Sequence, residues 1–196
     1  MNYSELDEGE SYRSSIVEAL NRALCHYDEA TANHSVRTGT LAGRLAIQLD
    51  LDRLDRTLIV QAGIVHDLGK LAIRLAVLHK TGSLTADERI EMECHSRIGA
   101  EILLGISPDL APVAVGIGSH HERWDGTGYP DGLAGEEIPM LGRVLAVADV
   151  YDALTNTRAY RNWKYTPDAA LGYVEDHAGT EFDPKVVAAM LDLLRP

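Results

Sequence analysis

The run His120-His121-Glu122-Arg123-Trp124-Asp125-Gly126-Thr127-Gly128-Tyr129-Pro130 puts two adjacent imidazoles at the head of a loop punctuated by glycine and proline. Paired histidines before such a loop have the form of metal ligands beside a substrate-binding segment. Upstream, His66-Asp67-Leu68-Gly69-Lys70 joins an imidazole, a carboxylate and an ammonium, with His34 before it, His95 after it and Asp149 downstream. Five of the eight histidines (His34, His66, His95, His120 and His121) and two aspartates thereby form one candidate constellation. The chemistry open to it is hydrolysis at phosphorus. Two divalent ions about 3.5–4 Å apart polarise a phosphoryl oxygen and generate hydroxide near neutral pH. Such a pair needs neutral imidazoles and a carboxylate able to bridge. Imidazole with carboxylate suits iron, manganese, nickel or zinc better than magnesium. At a helix end, His66 and Asp67 diverge by roughly 100°, so the carboxylate can reach a second ion. Any one of these histidines taken alone reads more readily as a surface or hydrogen-bonded core residue than as a ligand. His26, His79 and His177 fit no motif and take that ordinary reading.

The HHExxDGxGYP string is complete from His120 to Pro130. With the His66-Asp67 pair, it makes the chain resemble an HD-GYP domain from about His34 to Pro184. HD-GYP domains are the bacterial branch of the HD phosphohydrolase superfamily that hydrolyses cyclic di-GMP. The resemblance implies that His34, His66, Asp67 and Asp149 hold one divalent transition-metal ion. It gives the second ion to Asp67, His95, His120 and His121, with iron or manganese favoured and nickel or zinc acceptable. A hydroxide bridging the two ions would attack phosphorus in line, releasing pGpG and, if that product rebinds, GMP. Lys70 would neutralise a phosphate oxygen, and Arg158 and Arg161 would clamp the diester. Asp125, Gly128 and Tyr129 would shape the substrate loop, although Tyr129 and Trp124 serve equally well as packing residues. Asp152 reads as a partner either of a ligand histidine or of an arginine.

Two departures from the family pattern bear on this. Some members carry a glutamate four residues before the first histidine, where it supports a third metal; that position is Ala30 here, and Glu29 falls on another helix face. The expectation is therefore a binuclear centre. The family's Ile-Pro-Asp is replaced by Ile73-Arg74-Leu75, which leaves substrate preference open. The competing readings are an HD phosphohydrolase for another cyclic dinucleotide or a nucleotide, and a cyclic di-GMP receptor with little turnover.

The elements that must position these groups read as helices. Ile16, Leu20 and Leu24 recur at four-residue spacing between about Tyr12 and Glu29, and Leu41, Leu45 and Leu49 do so in a helix starting near His34. A third helix is expected from about Asp55 to Leu68, with Gly69 as its C-terminal cap. Thr85-Ala86-Asp87-Glu88 is a capping box opening a helix that carries His95 and runs to Leu104. Ser107-Pro108 opens another, leading to His120-His121, and a helix after Pro139 carries Asp149 and Asp152. Thr166-Pro167 and Asp183-Pro184 open the last two. From Glu122 to Pro139, glycine and proline replace periodicity, so a long loop is expected. With no strand pattern, the fold class is all-α, and the resemblance implies an HD-domain helical bundle with a glycine-rich GYP loop. The expected division is an N-terminal helical segment over residues 1–33, packed on or leading into the domain, and, as the resemblance implies, an HD-GYP catalytic domain over residues 34–196.

At 196 residues, 45% of them apolar and 24% charged, the chain has the make-up of a soluble globular protein with a real core. Two cysteines make no disulfide framework, and neither a leader nor a membrane-length apolar run is evident, so a reducing cytoplasm is the expected setting. The net charge of −12 argues against binding a DNA or RNA polymer. It also requires local attraction of any phosphodiester, by metal ions and by Lys70, Arg158 and Arg161. A homodimer or a separate regulatory domain is compatible with this organisation.

Overall fold

The computed structural model describes residues 3–156 and 164–195. Its helices are α1 (Tyr3–Tyr27), α2 (Glu29–Gln48), α3 (Arg53–Val65), α4 (Leu75–Leu78), α5 (Ala86–Glu93), α6 (His95–Ile106), α7 (Ala111–Gly118), α8 (Met140–Thr155), α9 (Pro167–Asp176) and α10 (Pro184–Leu194). Among the described residues there is no strand, only an isolated bridge between Ala178 and Phe182. Nor is any described helix long and apolar enough to cross a membrane.

Side-chain caps start half of these helices. Asp28 caps α2, accepting the Thr31 amide at 3.1 Å, and Asp52 caps α3 through Asp55 at 2.9 Å. Because α2 begins at its Asp28 cap, His34 lies more than a turn inside the helix and not at its start. The Thr85–Glu88 capping box opens α5, and Thr166 and Asp183 cap α9 and α10 ahead of their prolines. The apolar faces then meet in one core, where Leu45, Ile59, Val65, Leu103, Ile117, Leu145 and Met190 are fully buried. Each such side chain contributes roughly 1.5–3 kcal/mol by leaving water.

Two expected boundaries are corrected. Gly69 does not cap α3, which ends at Val65; it lies in a 3₁₀ turn, Leu68–Ala72. Glycine is required there by close approach, since a Cβ at that position would come within 1.9 Å of the His95 carbonyl oxygen. The helix expected from Thr85 to Leu104 is two helices, α5 and α6, meeting at Cys94. The break falls where α6 starts with the buried His95 against the Gly69 turn. His66-Asp67 and the start of α6 are thus held together through backbone contact.

Candidate metal centre

Four chain segments deliver the histidines: His34 from α2, His66 from the end of α3, His95 from the first position of α6, and His120-His121 just past α7. Asp67 follows His66, and Asp149 comes from α8. Three of the imidazoles are oriented by the same device. His66 Nδ1 donates to Gly63 O at 2.8 Å, His95 Nδ1 to Met92 O at 2.7 Å and His120 Nδ1 to Ile117 O at 2.6 Å. A carbonyl can only accept, so each Nδ1 carries the proton and each Nε2 is a bare lone pair. These lone pairs point at one another. The Nε2 atoms of His95 and His120 lie 3.4 Å apart and His66 Nε2 is buried without a hydrogen-bond partner, while His121 Nε2, whose tautomer no carbonyl fixes, lies 3.2 Å from His95 Nε2. Buried acceptors facing acceptors cost free energy unless a cation lies between them. The donor set therefore fits a metal.

The donors fall into neighbouring groups. His95, His120 and His121 form one, His34, His66 and Asp149 a second, and His66, Asp67 and His120 link them, with the atoms of each group within 4.8 Å of one another. Asp67 turns one oxygen to each side, Oδ1 at 3.4 Å from His95 Nε2 and Oδ2 at 3.5 Å from His66 Nε2. Asp149 Oδ1 lies 2.7 Å from His34 Nε2 and 3.8 Å from His66 Nε2. Burial keeps these imidazoles neutral. It lowers His66 and takes His120 well below the ordinary value; burial together with neighbouring groups brings His95 to about 4 and His121 to about 3. Burial raises the Asp67 carboxyl, but Lys70 and the surrounding imidazoles win and hold it well below the carboxylate range. Asp149 is held low in the same way, chiefly by His34. Neutral imidazoles and ionised carboxylates are the protonation states a cation needs.

The centre opens into a cleft of about 460 Å³ lined by Lys70, Tyr129, His121 and Asp149 together with Val77, Leu84 and Met92. A shallower groove of about 690 Å³ between α1, α2 and α3 carries none of the candidate ligands. Lys70 Nζ sits 2.6 Å from Asp67 Oδ2, and the Tyr129 ring stacks on His121 at 4.8 Å. Asp125 does not line the cleft. Its carboxylate accepts from the Thr127 amide at 3.0 Å and from the Thr127 hydroxyl, and so folds its own loop. Gly128 likewise lies beneath the Glu122–Arg123 backbone, where a Cβ would come within 2.3 Å of Arg123 N. Trp124 hydrogen-bonds through its backbone to Glu181 at 3.1 Å, tying the loop to the turn between α9 and α10. Arg158 and Arg161 lie outside the described residues.

Sequence reasoning assigned nothing to Glu122. It is 3% exposed and accepts from the amides of Asp131 at 2.7 Å and Leu133 at 3.1 Å. It thus pins the far arm of the loop behind Tyr129. Glu122→Ala is expected to cost roughly 2–4 kcal/mol, because two buried amides lose a charged acceptor. That corresponds to a Tm lower by roughly 5–15 °C. Thermal denaturation of the metal-free protein reads this directly, and an unchanged Tm would remove the anchoring role.

An all-helical bundle that gathers five histidines, four of them buried, and two aspartates around one cleft is the architecture of the HD proteins. The chain belongs to the HD domain family, whose match runs over residues 18–186. The complete GYP string and the relatives place it in the HD-GYP branch. It is 42% identical over 189 residues to the cyclic di-GMP phosphodiesterase response regulator RpfG of Xanthomonas campestris pv. campestris (strain 8004), covering 96% of this chain and 50% of that protein. It is 35% identical over 181 residues to the 3'3'-cGAMP-specific phosphodiesterase 3 of Vibrio cholerae serotype O1, covering 92% of this chain and 39% of that protein. Among solved structures, Bd1817, an HDG"Y"P protein from Bdellovibrio bacteriovorus, superposes with a TM-score of 0.68 at 22% identity. That match covers 97% of this chain and 62% of that one, and it speaks for the fold alone. The chain spans about half the length of RpfG.

Proposed function

We propose that the cleft is the active centre of a metal-dependent phosphodiesterase that opens cyclic di-GMP to linear pGpG and, on rebinding, GMP. The observation that carries this reading is the set of proton-free Nε2 atoms of His66, His95 and His120, turned toward one another beside Asp67. His34, His66, Asp67 and Asp149 would hold one ion, and Asp67, His95, His120 and His121 the other, with iron or manganese favoured. Bound there, two divalent ions would supply Lewis-acid polarisation of the diester and a hydroxide near neutral pH. Ala30 lines the cleft without offering a donor, and Glu29 is exposed away from it, which supports two ions over three.

The chain's own groups do the rest. Lys70, with only 14% of its side chain exposed, holds Asp67 and presents a fixed ammonium to the cleft. There it stabilises charge developing on a non-bridging phosphate oxygen. Tyr129, stacked on His121, lines the cleft and offers it a ring face. Val77, Leu84 and Met92 add apolar surface to the lining for a base or ribose. Arg158 and Arg161 would clamp the second phosphate, while Asp125 and Gly128 act by shaping the loop that carries Tyr129. A regulatory domain is consistent with relatives roughly twice the length of this chain.

A second reading, cleavage of 3'3'-cGAMP, is favoured by the Vibrio relative named for that substrate. One experiment separates the two. Protein purified anaerobically and loaded with Mn²⁺ or Fe²⁺ is given each dinucleotide, and the products are resolved by chromatography beside His66→Ala and Asp67→Ala variants. Metal-dependent pGpG or GMP, absent from both variants, is the expected result. Preferential turnover of 3'3'-cGAMP selects the second reading. Tight binding with no product from either would replace the enzyme with a receptor.

A further inference from the structure

His34 is oriented differently from His66, His95 and His120. Where those three lean on a carbonyl three residues back, His34 Nδ1 meets a carboxylate from α8, Asp152 Oδ2, at 2.6 Å. Asp152 is 6% exposed and is itself clamped. Arg37 Nε donates to its Oδ1 at 2.8 Å, Arg37 Nη2 to its Oδ2 at 2.9 Å, and Asn156 Nδ2 to its Oδ1 at 3.0 Å. A buried carboxylate this close to a metal site has two fates. It either joins the ion as an extra ligand or is committed elsewhere. The fork of Arg37 commits Asp152 to the imidazole and holds its plane.

We propose that Asp152, clamped by Arg37, is a positioning residue that sets the strength of one ion site only, the one built on His34, His66 and Asp149. Without metal both ring nitrogens of His34 meet a carboxylate, Nδ1 that of Asp152 and Nε2 that of Asp149 at 2.7 Å; an ion bound at Nε2 would take the place of its proton, and Asp152 would keep the one on Nδ1. It also makes the imidazole a stronger donor. Among the described residues no hydrogen bond or ion pair joins Asp152 or Arg37 to His95, His120 or His121, so the effect on their site is expected to be small. Arg37, three residues beyond His34, supplies the clamp from the same helix as the ligand. The inference rests on the metal reading of the centre and requires no turnover.

The test is metal binding. Metal-free wild-type protein and the near-isosteric Asp152→Asn variant are titrated with Mn²⁺ in competition with a chelating indicator, and the two site affinities are resolved. The expected result is one affinity weakened about 10–100-fold and the other changed by less than about twofold. Circular dichroism of the metal-free proteins should coincide. Two unchanged affinities, or two that weaken together, overturn the proposal. Asp152→Ala gives an independent check that also covers a poorly folding Asp152→Asn. It leaves a carboxylate-sized gap between Arg37 and His34, so added formate is expected to restore the weakened site. Failure of formate to do so also overturns the proposal. Wild-type protein that binds Mn²⁺ at both sites but hydrolyses nothing would sink the phosphodiesterase reading alone.

Discussion

Asp67→Asn is expected to reduce hydrolysis by at least about 10³-fold, a loss of about 4 kcal/mol of transition-state stabilisation. The reason is geometric. Asp67 faces His95 with one oxygen and His66 with the other, at 3.4 and 3.5 Å. It is the carboxylate shared between the two histidine groups, and it is also the partner of Lys70 at 2.6 Å. An amide keeps the size but offers one neutral oxygen in place of two charged ones. It therefore cannot serve both sides, and its NH₂ would face the Lys70 ammonium. Metal content should fall with the rate, to well below that of the wild-type protein loaded in parallel. Lys70→Ala is the informative contrast, because it removes a charge near the phosphate but no ligand. Metal content should persist there while the rate drops by a smaller factor. Turnover of Asp67→Asn within tenfold of wild type would exclude Asp67 as the shared carboxylate.

The parts of this protein that were legible in its residues are those settled locally. The Thr85–Glu88 capping box and the Thr166-Pro167 and Asp183-Pro184 starts all open helices where expected, because a cap needs only the next three amides. The gathering of the five histidines was legible for another reason, since two adjacent imidazoles before a glycine-rich loop are an unusual pattern. What escaped was decided by tertiary contact. Nothing near Cys94 in the chain announces a helix break; the break follows from the packing of His95 against the Gly69 turn. Gly69 looked like a cap because a glycine after an apolar run usually is one, whereas its use here is to let a carbonyl approach. Asp152 left two readings open, a histidine partner or an arginine partner, and it is both at once. Arg37 carried a usable signal, its three-residue spacing from His34 on one helix. Glu122 carried none, because its partners, the amides of Asp131 and Leu133, are defined only once the loop has closed.

The metal-free protein is expected to lose stability steeply as pH falls from about 6.5, well above the range where carboxylates titrate. In the folded chain, burial depresses His66 and His120, brings His95 to about 4, and, with neighbouring groups, brings His121 to about 3. In the unfolded chain each returns to about 6.5. Below that value the unfolded state takes up protons that the native state refuses, so the slope of stability against pH is positive and acid destabilises. For His95 and His121 the loss between pH 7 and pH 5 is on the order of 2 kcal/mol each. Asp67, Asp149 and Asp152, all lowered, act in the same direction, but only below about pH 4. Relief of the net charge of −12 opposes the loss, though much of it sits on exposed side chains screened by salt. Urea denaturation with a chelator present, at pH 7, 6 and 5, reads the balance. A curve flat over that range in high salt, where the repulsion of exposed charges is screened, would mean that the histidines titrate as free imidazoles and that water reaches the cluster. A falling curve that levels out when Mn²⁺ is restored would tie the same lone pairs to proton exclusion and to metal binding, since an imidazole holds an ion only when neutral and the ion therefore competes with each proton for its place.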